Sequence, residues 1–193
     1  PGISMAILRF RIWTAPWNAA RLRTKRRNKK VSEAKLDRLR AQAAELGAVD
    51  ENFIRLLSQV PGYTEALFDS LTRSHVDGDV DHKLKEIIRI GLARQAGDPY
   101  FGTLRSKPAA AAGLTEEMIE AGCGDFENDD RFSAREKWAL RYARLMYTEP
   151  KKVNKAFYDE GKTHYSEAEI MELGTFIAFH YGMQLFTRAI GLK

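Results

Sequence analysis

Two sets of residues in this chain have types and spacings that could do chemistry. Near the end, His180, Gln184 and Arg188 recur at i, i+4 and i+8 among Phe176, Ile177, Phe179, Leu185 and Phe186. On a helix this spacing aligns three polar groups along an otherwise apolar surface. An imidazole there can move a proton near neutral pH, and an amide and a guanidinium can fix a polar ligand. The same stripe could instead form hydrogen bonds at a subunit interface. The second set is Asp98, Tyr100 and Arg105, clustered around Pro99. An aspartate with an arginine about two helical turns later can form an ion pair lining a pocket. Alternatively, Arg105 can grip a substrate carboxylate with two hydrogen bonds, while Tyr100 offers its hydroxyl. The competing reading makes Asp98 an N-cap for a helix opened by Pro99, Tyr100 a packed aromatic, and Arg105 a solvated or intersubunit residue.

Other chemistries lack their signatures. There is no Gly-rich phosphate loop, no His-Glu-x-x-His and no Gly-x-Ser-x-Gly. The four histidines, His75, His82, His164 and His180, are too scattered along the sequence to mark a metal site, so no metal and no cofactor are expected. Cys123 is the only cysteine. It has no partner for an internal disulfide, a cysteine-based zinc site or dithiol redox chemistry. A reducing, cytoplasmic setting fits that usage. No apolar run approaches the roughly 18 residues needed to span a membrane.

The elements that must position these residues read as helices almost throughout. Ser32 precedes apolar residues at Leu36, Leu39, Ala43 and Leu46, and Gly47 closes that run. Short helices are predicted over 53–60 and 63–75. A turn at Asp77, Gly78 and Asp79 leads into a long helix over 80–96, with Leu84, Ile87, Ile88 and Gly91 on one stripe. Pro99 opens a helix disturbed at Pro108 and ended at Gly113. Thr115 caps the next, to about residue 121. Ser133 with Glu136, and Ser166 with Glu169, are capping boxes for two later helices, with another over 153–161 between them. No stretch alternates with period two, so no sheet is predicted.

The charge is unevenly spread. Residues 1–30 hold nine basic residues and no acidic one, leaving 22 basic against 26 acidic residues in the rest. Residues 1–4, before Met5, read as an expression remnant, and residues 5–30 as a basic arm carrying Phe10, Trp13 and Trp17. Such an arm can be a solvated tail, clasp a neighbouring subunit, bind an anionic partner, nucleic acid or membrane surface, or be the remnant of an organelle-targeting segment. Residues 31–193 form one all-α domain.

The run KLKEIIRIGLARQAGDPYF from Lys83 to Phe101, followed by AAAGLTEE from Ala110 to Glu117, resembles the carboxymuconolactone decarboxylase and alkylhydroperoxidase D-like family. FSAREKWALRYA from Phe132 and HYSEAEIMEL from His164 extend the likeness, which covers about residues 56–192. The resemblance implies an all-α, alkylhydroperoxidase D-like single domain that assembles as a homo-oligomer, a trimer or hexamer. In the family a glutamate-bearing helix leads into a Cys-x-x-Cys-x-x-x-His helix. Here Asp98 and Phe101 stand at the two thiol positions and Arg105 at the imidazole position. The likeness therefore carries the fold without the dithiol peroxidase chemistry. Glu86 matches the family's glutamate. In a partly apolar pocket its pKa would rise, suiting it to general acid–base work, with His180 as partner. The alternative for Glu86 is a surface pair with Arg89. The expected function is cofactor-free, lyase-like catalysis on a small carboxylate or carbonyl compound, with Arg105, Asp98, Tyr100 and Gln184 binding substrate. The alternative is a non-catalytic oligomeric scaffold that binds a partner through its arm.

Overall fold

The computed structural model describes residues 31–60 and 64–192. Residues 1–30, read above as a remnant and a basic arm, lie outside the described residues. Within them the protein is helical and contains no strand.

The first helix, α1 (Glu33–Leu46), ends where Gly47 takes a left-handed φ of 75°. Helix α2 (Glu51–Leu57) starts earlier than the apolar pattern predicts, because the Asp50 carboxylate accepts the Phe53 N–H at 3.2 Å and caps it. Helix α3 (Thr64–Val76) precedes the Asp-Gly turn. Helix α4 (His82–Ala96) is capped by Asp81 and closed by Gly97 at φ 64°.

The helix predicted from Pro99 to Gly113 is two helices, α5 (Pro99–Thr103) and α6 (Lys107–Ala111). Leu104 between them is extended. Pro108 sits in the first turn of α6, where its missing N–H leaves no gap, and Ser106 caps that turn. Proline thus begins a helix here and does not merely disturb one. Helix α7 (Glu116–Cys123) follows Thr115. Both predicted capping boxes are present, opening α8 (Ala134–Thr148) and α10 (Glu167–Ala189), with α9 (Lys155–Gly161) between them.

Helix α4 is the centre of the molecule. It packs against α3, α5, α6, α7, α8 and α10. Its Leu84, Ile87, Ile88, Ile90 and Leu92 belong to one core with Trp138, Leu173, Phe176 and Ile177. Its Ala93 faces a second core built on Leu39, Phe53, Phe68 and Phe101. Each large apolar side chain so buried contributes about 1.5–3 kcal/mol. A helix covered on nearly every side would be expected to carry no charge inward, yet α4 carries three.

Candidate active site

Lys85, Glu86 and Arg89 are each at most 1% exposed. An isolated charge in such surroundings is prohibitively expensive, so each must be paired and hydrogen-bonded. Arg89 grips Glu86 with two bonds, Nε to Oε2 at 2.8 Å and Nη2 to Oε1 at 2.7 Å. It also donates to the carbonyls of Phe101 at 2.6 Å and Leu104 at 2.7 Å. The Ser106 N–H adds a third donor to Glu86, 2.8 Å from Oε1. The break between α5 and α6 therefore supplies two acceptors and one donor to this ion pair. Lys85 is bound separately, to the Asp77 carbonyl at 2.7 Å and to the Glu172 carboxylate of α10.

Two imidazoles join the pair from other helices. His75 of α3 places Nδ1 3.8 Å from Glu86 Oε2. Its ring meets that of His180, from α10, edge to face at 4.8 Å, and Phe176 lies 4.2 Å from His180. His180 Nε2 is 3.1 Å from the Ser74 hydroxyl. His82, at the start of α4, closes the cluster. Its Nδ1 lies 2.6 Å from the His75 carbonyl, which only accepts, so Nδ1 carries the proton. Its Nε2 lies 2.6 Å from the Ser106 hydroxyl.

The electrostatics follow from this packing. Burial alone would raise the Glu86 pKa, but the charge and hydrogen bonds of Arg89, with the Ser106 N–H, outweigh it and hold the carboxyl below its ordinary value. This corrects the rise expected from an apolar pocket: the pocket brings its own guanidinium. Burial pushes His75 and His180 well below the usual imidazole range, and the Arg89 charge pushes the same way. The cluster near neutrality is thus a carboxylate beside two neutral imidazoles. His75 Nδ1 and Gln184 Oε1 are buried with no hydrogen-bond partner among the described residues.

The structure brings only some of the sequence-predicted residues together. Glu86 and His180 share the cluster. Gln184 borders it, its amide donating to the Arg89 carbonyl at 2.9 Å. Asp98 does not reach it: one carboxylate oxygen caps α5 by accepting the Tyr100 N–H at 3.0 Å, and the other accepts the Thr187 hydroxyl at 2.9 Å. Tyr100 is a buried core residue whose hydroxyl donates to Asp50 at 2.5 Å. Burial and that carboxylate raise its pKa. Arg105 is half-exposed and paired twice with Glu116, at 2.7 and 3.1 Å. Phe101, at the second thiol position of the resemblance, packs edge to face on Phe53 at 5.4 Å.

Sequence reasoning named Arg89 only as a surface partner of Glu86, and missed its burial along with His75, His82 and Ser106 as members of the cluster. A signal existed for His82 and Arg89: with Glu86 they recur at i, i+4 and i+7, a polar stripe like that on α10. Among the described residues no group of three or more His, Cys, Asp or Glu is placed to hold a metal ion.

A cavity of about 190 Å³ lies on the opposite side of α4 from Glu86, against α7 and α8. Its lining includes Ile87, Gly91, Cys123, Leu140 and Ala143. Burial raises the Cys123 thiol pKa, which keeps that sulfur protonated and poorly nucleophilic.

No family model matches the chain, and no curated protein sequence does. Solved structures do. The debrominase Bmp8 aligns with a TM-score of 0.70 at 20% identity, covering 85% of this chain and 89% of its own, both apo and as a cysteine-to-alanine variant bound to 2,3,4-tribromopyrrole. An alkylhydroperoxidase AhpD core, an uncharacterized peroxidase-related protein from Ralstonia eutropha JMP134, aligns at 0.69 and 14% identity, over 84% of this chain and 86% of that one. A peroxidase-related protein from Silicibacter sp. TM1040 aligns at 0.71 and 11% identity, over 84% and 85%. The chain therefore has the all-α alkylhydroperoxidase D-like fold.

Proposed function

We propose that this chain is a cofactor-free acid–base enzyme acting on a small carboxylate or carbonyl compound, and that it works as a homo-oligomer on the alkylhydroperoxidase D-like scaffold. One observation carries the reading. Helices α3, α4 and α10 drive a carboxylate and two neutral imidazoles into one buried cluster, and His75 Nδ1, 3.8 Å from Glu86, has no hydrogen-bond partner among the described residues. Buried polar atoms without partners are rare in folded proteins and concentrate where chemistry is done. In this reading the proton moves between the substrate and Glu86 or His75, which at 3.8 Å do not exchange it directly, and the His180 ring packs edge to face against His75. Bmp8 is a debrominase seen with a small ring compound, which supports a small-molecule substrate for a protein of this shape. The oligomer finds support in apolar residues left exposed on and just after α10, namely Met171, Leu185, Phe186 and Ile190.

The test is a panel of small keto, unsaturated and lactone carboxylates, assayed for decarboxylation, isomerisation and ring opening. Turnover lost by at least about 10²-fold in Glu86→Gln and His75→Asn, and kept in Cys123→Ser, supports the reading. Turnover unchanged in both cluster variants overturns it.

A second reading is the non-catalytic scaffold. It is favoured by the three donors that occupy Glu86 and by the pairing of Arg105 with Glu116. Under it, no member of the panel turns over, in the native chain or in any variant.

A further inference from the structure

We infer that the cavity between α4, α7 and α8 is a binding site for a monocyclic, largely apolar compound bearing one anionic group. The walls are Ile87, Ile88, Leu92, Phe126, Leu140 and Ala143, with Gly91 on the floor. Its volume of about 190 Å³ exceeds the ~150 Å³ of an apolar cavity that accepts benzene.

Gly91 is the second observation. It stands inside α4, where glycine is the poorest helix former after proline. A glycine in such a place usually makes room for a neighbour. Gly122 is that kind, since a Cβ there would run into Ile87. Gly91 is not, because its nearest neighbour would be the Cys123 sulfur at an ordinary 3.7 Å. An alanine would fit the fold, strengthen the helix and project into the cavity. What the glycine preserves is the space.

Two guanidiniums at the rim set the charge of the ligand. Arg94 is paired with Glu120. Arg144 lies over the Phe126 ring at 4.4 Å and donates to the Gly124 carbonyl at 2.6 Å, with no carboxylate in ion-pair contact among the described residues. Its charge is available to an anion seated above the apolar floor. The site lies across α4 from Glu86, so it stands or fails independently of the acid–base reading.

The experiment measures binding of benzoate, methyl benzoate and toluene to the full chain by ligand-detected NMR titration. Benzoate is expected to saturate and to bind at least about 10-fold more tightly than methyl benzoate. Gly91→Leu and Ala143→Leu, which fill the cavity from opposite walls, should each weaken benzoate at least about 10-fold. Gly91→Ala should weaken it less while raising the melting temperature by about 2–4 °C. Arg144→Gln should erase the preference for benzoate. Circular dichroism shows which variants remain folded, and Gly91→Ala keeps the test decisive if the larger replacements do not. The inference is overturned if no probe saturates the native chain, if the folded filling variants bind as the native chain does, or if methyl benzoate and toluene bind as well as benzoate.

Discussion

Glu86 and Arg89 share a site with no bulk water to replace either partner. Removing one member of a buried, hydrogen-bonded pair costs about 3–5 kcal/mol, because the survivor is left charged and uncompensated. Urea unfolding should therefore show Glu86→Gln and Arg89→Met each destabilised by about that amount. The double variant should lose clearly less than their sum. Additive losses would mean that the two side chains act separately. Acid should find the same cluster. The folded pKa values of His75, His180 and Glu86 all lie below their unfolded values. Each group then contributes stability that is present above its unfolded pKa and lost as pH falls. The histidine part starts to go near pH 6.5, and the Glu86 part only near 4.5. Denaturation midpoints measured between pH 7 and 5 should fall for the native chain and fall less for His180→Phe. Glu86 and His180 were legible in the sequence, the first from a resemblance and the second from its place on an apolar helix. His75 was not. Nothing local distinguishes it, and its role exists only because α3, α4 and α10 meet.

The helices themselves were legible wherever their ends are set by nearby residues. The boxes at Ser133 and Ser166 and the stops at Gly47 and Gly97 depend on side chains or φ values within a few positions. The break between α5 and α6 has a local half, the Ser106 cap with Pro108 in the first turn, and a distant one: the carbonyls of Phe101 and Leu104 are taken by Arg89, and no local pattern announces that. Asp98 belongs to this scale as well. It caps α5 and ties that helix to α10 through Thr187. Asp98→Ala should cost about 1–2 kcal/mol by thermal or urea unfolding, through the lost cap and a stranded hydroxyl. Asp98→Asn, which keeps a capping oxygen, should recover much of that. Equal losses in the two variants would show that the carboxylate charge matters more than the cap.

At the scale of the whole molecule, composition and resemblance made the all-α fold readable, and the structural neighbours bear it out. They do not address assembly. The exposed apolar residues around α10 make a concrete expectation of it. Light scattering should report a multiple of the 21.9 kDa chain, and Phe186→Glu should shift it toward the single chain without unfolding it. A native chain that scatters as a monomer at micromolar concentration would count against the oligomer.

The lacing of α10 along α4 has a consequence in time. Glu172 holds Lys85 at one end of α4, Gln184 holds the Arg89 carbonyl midway, and Thr187 and Arg188 hold Asp98 and the Ala96 carbonyl at the other. During translation α4 is made well before α10. Its isoleucines and its inward charges have no complete surroundings until the last of these contacts leaves the ribosome. A nascent chain halted anywhere before Arg188 carries the centre of the molecule without its cover. Such a chain should be a good client for a holding chaperone until α10 has emerged.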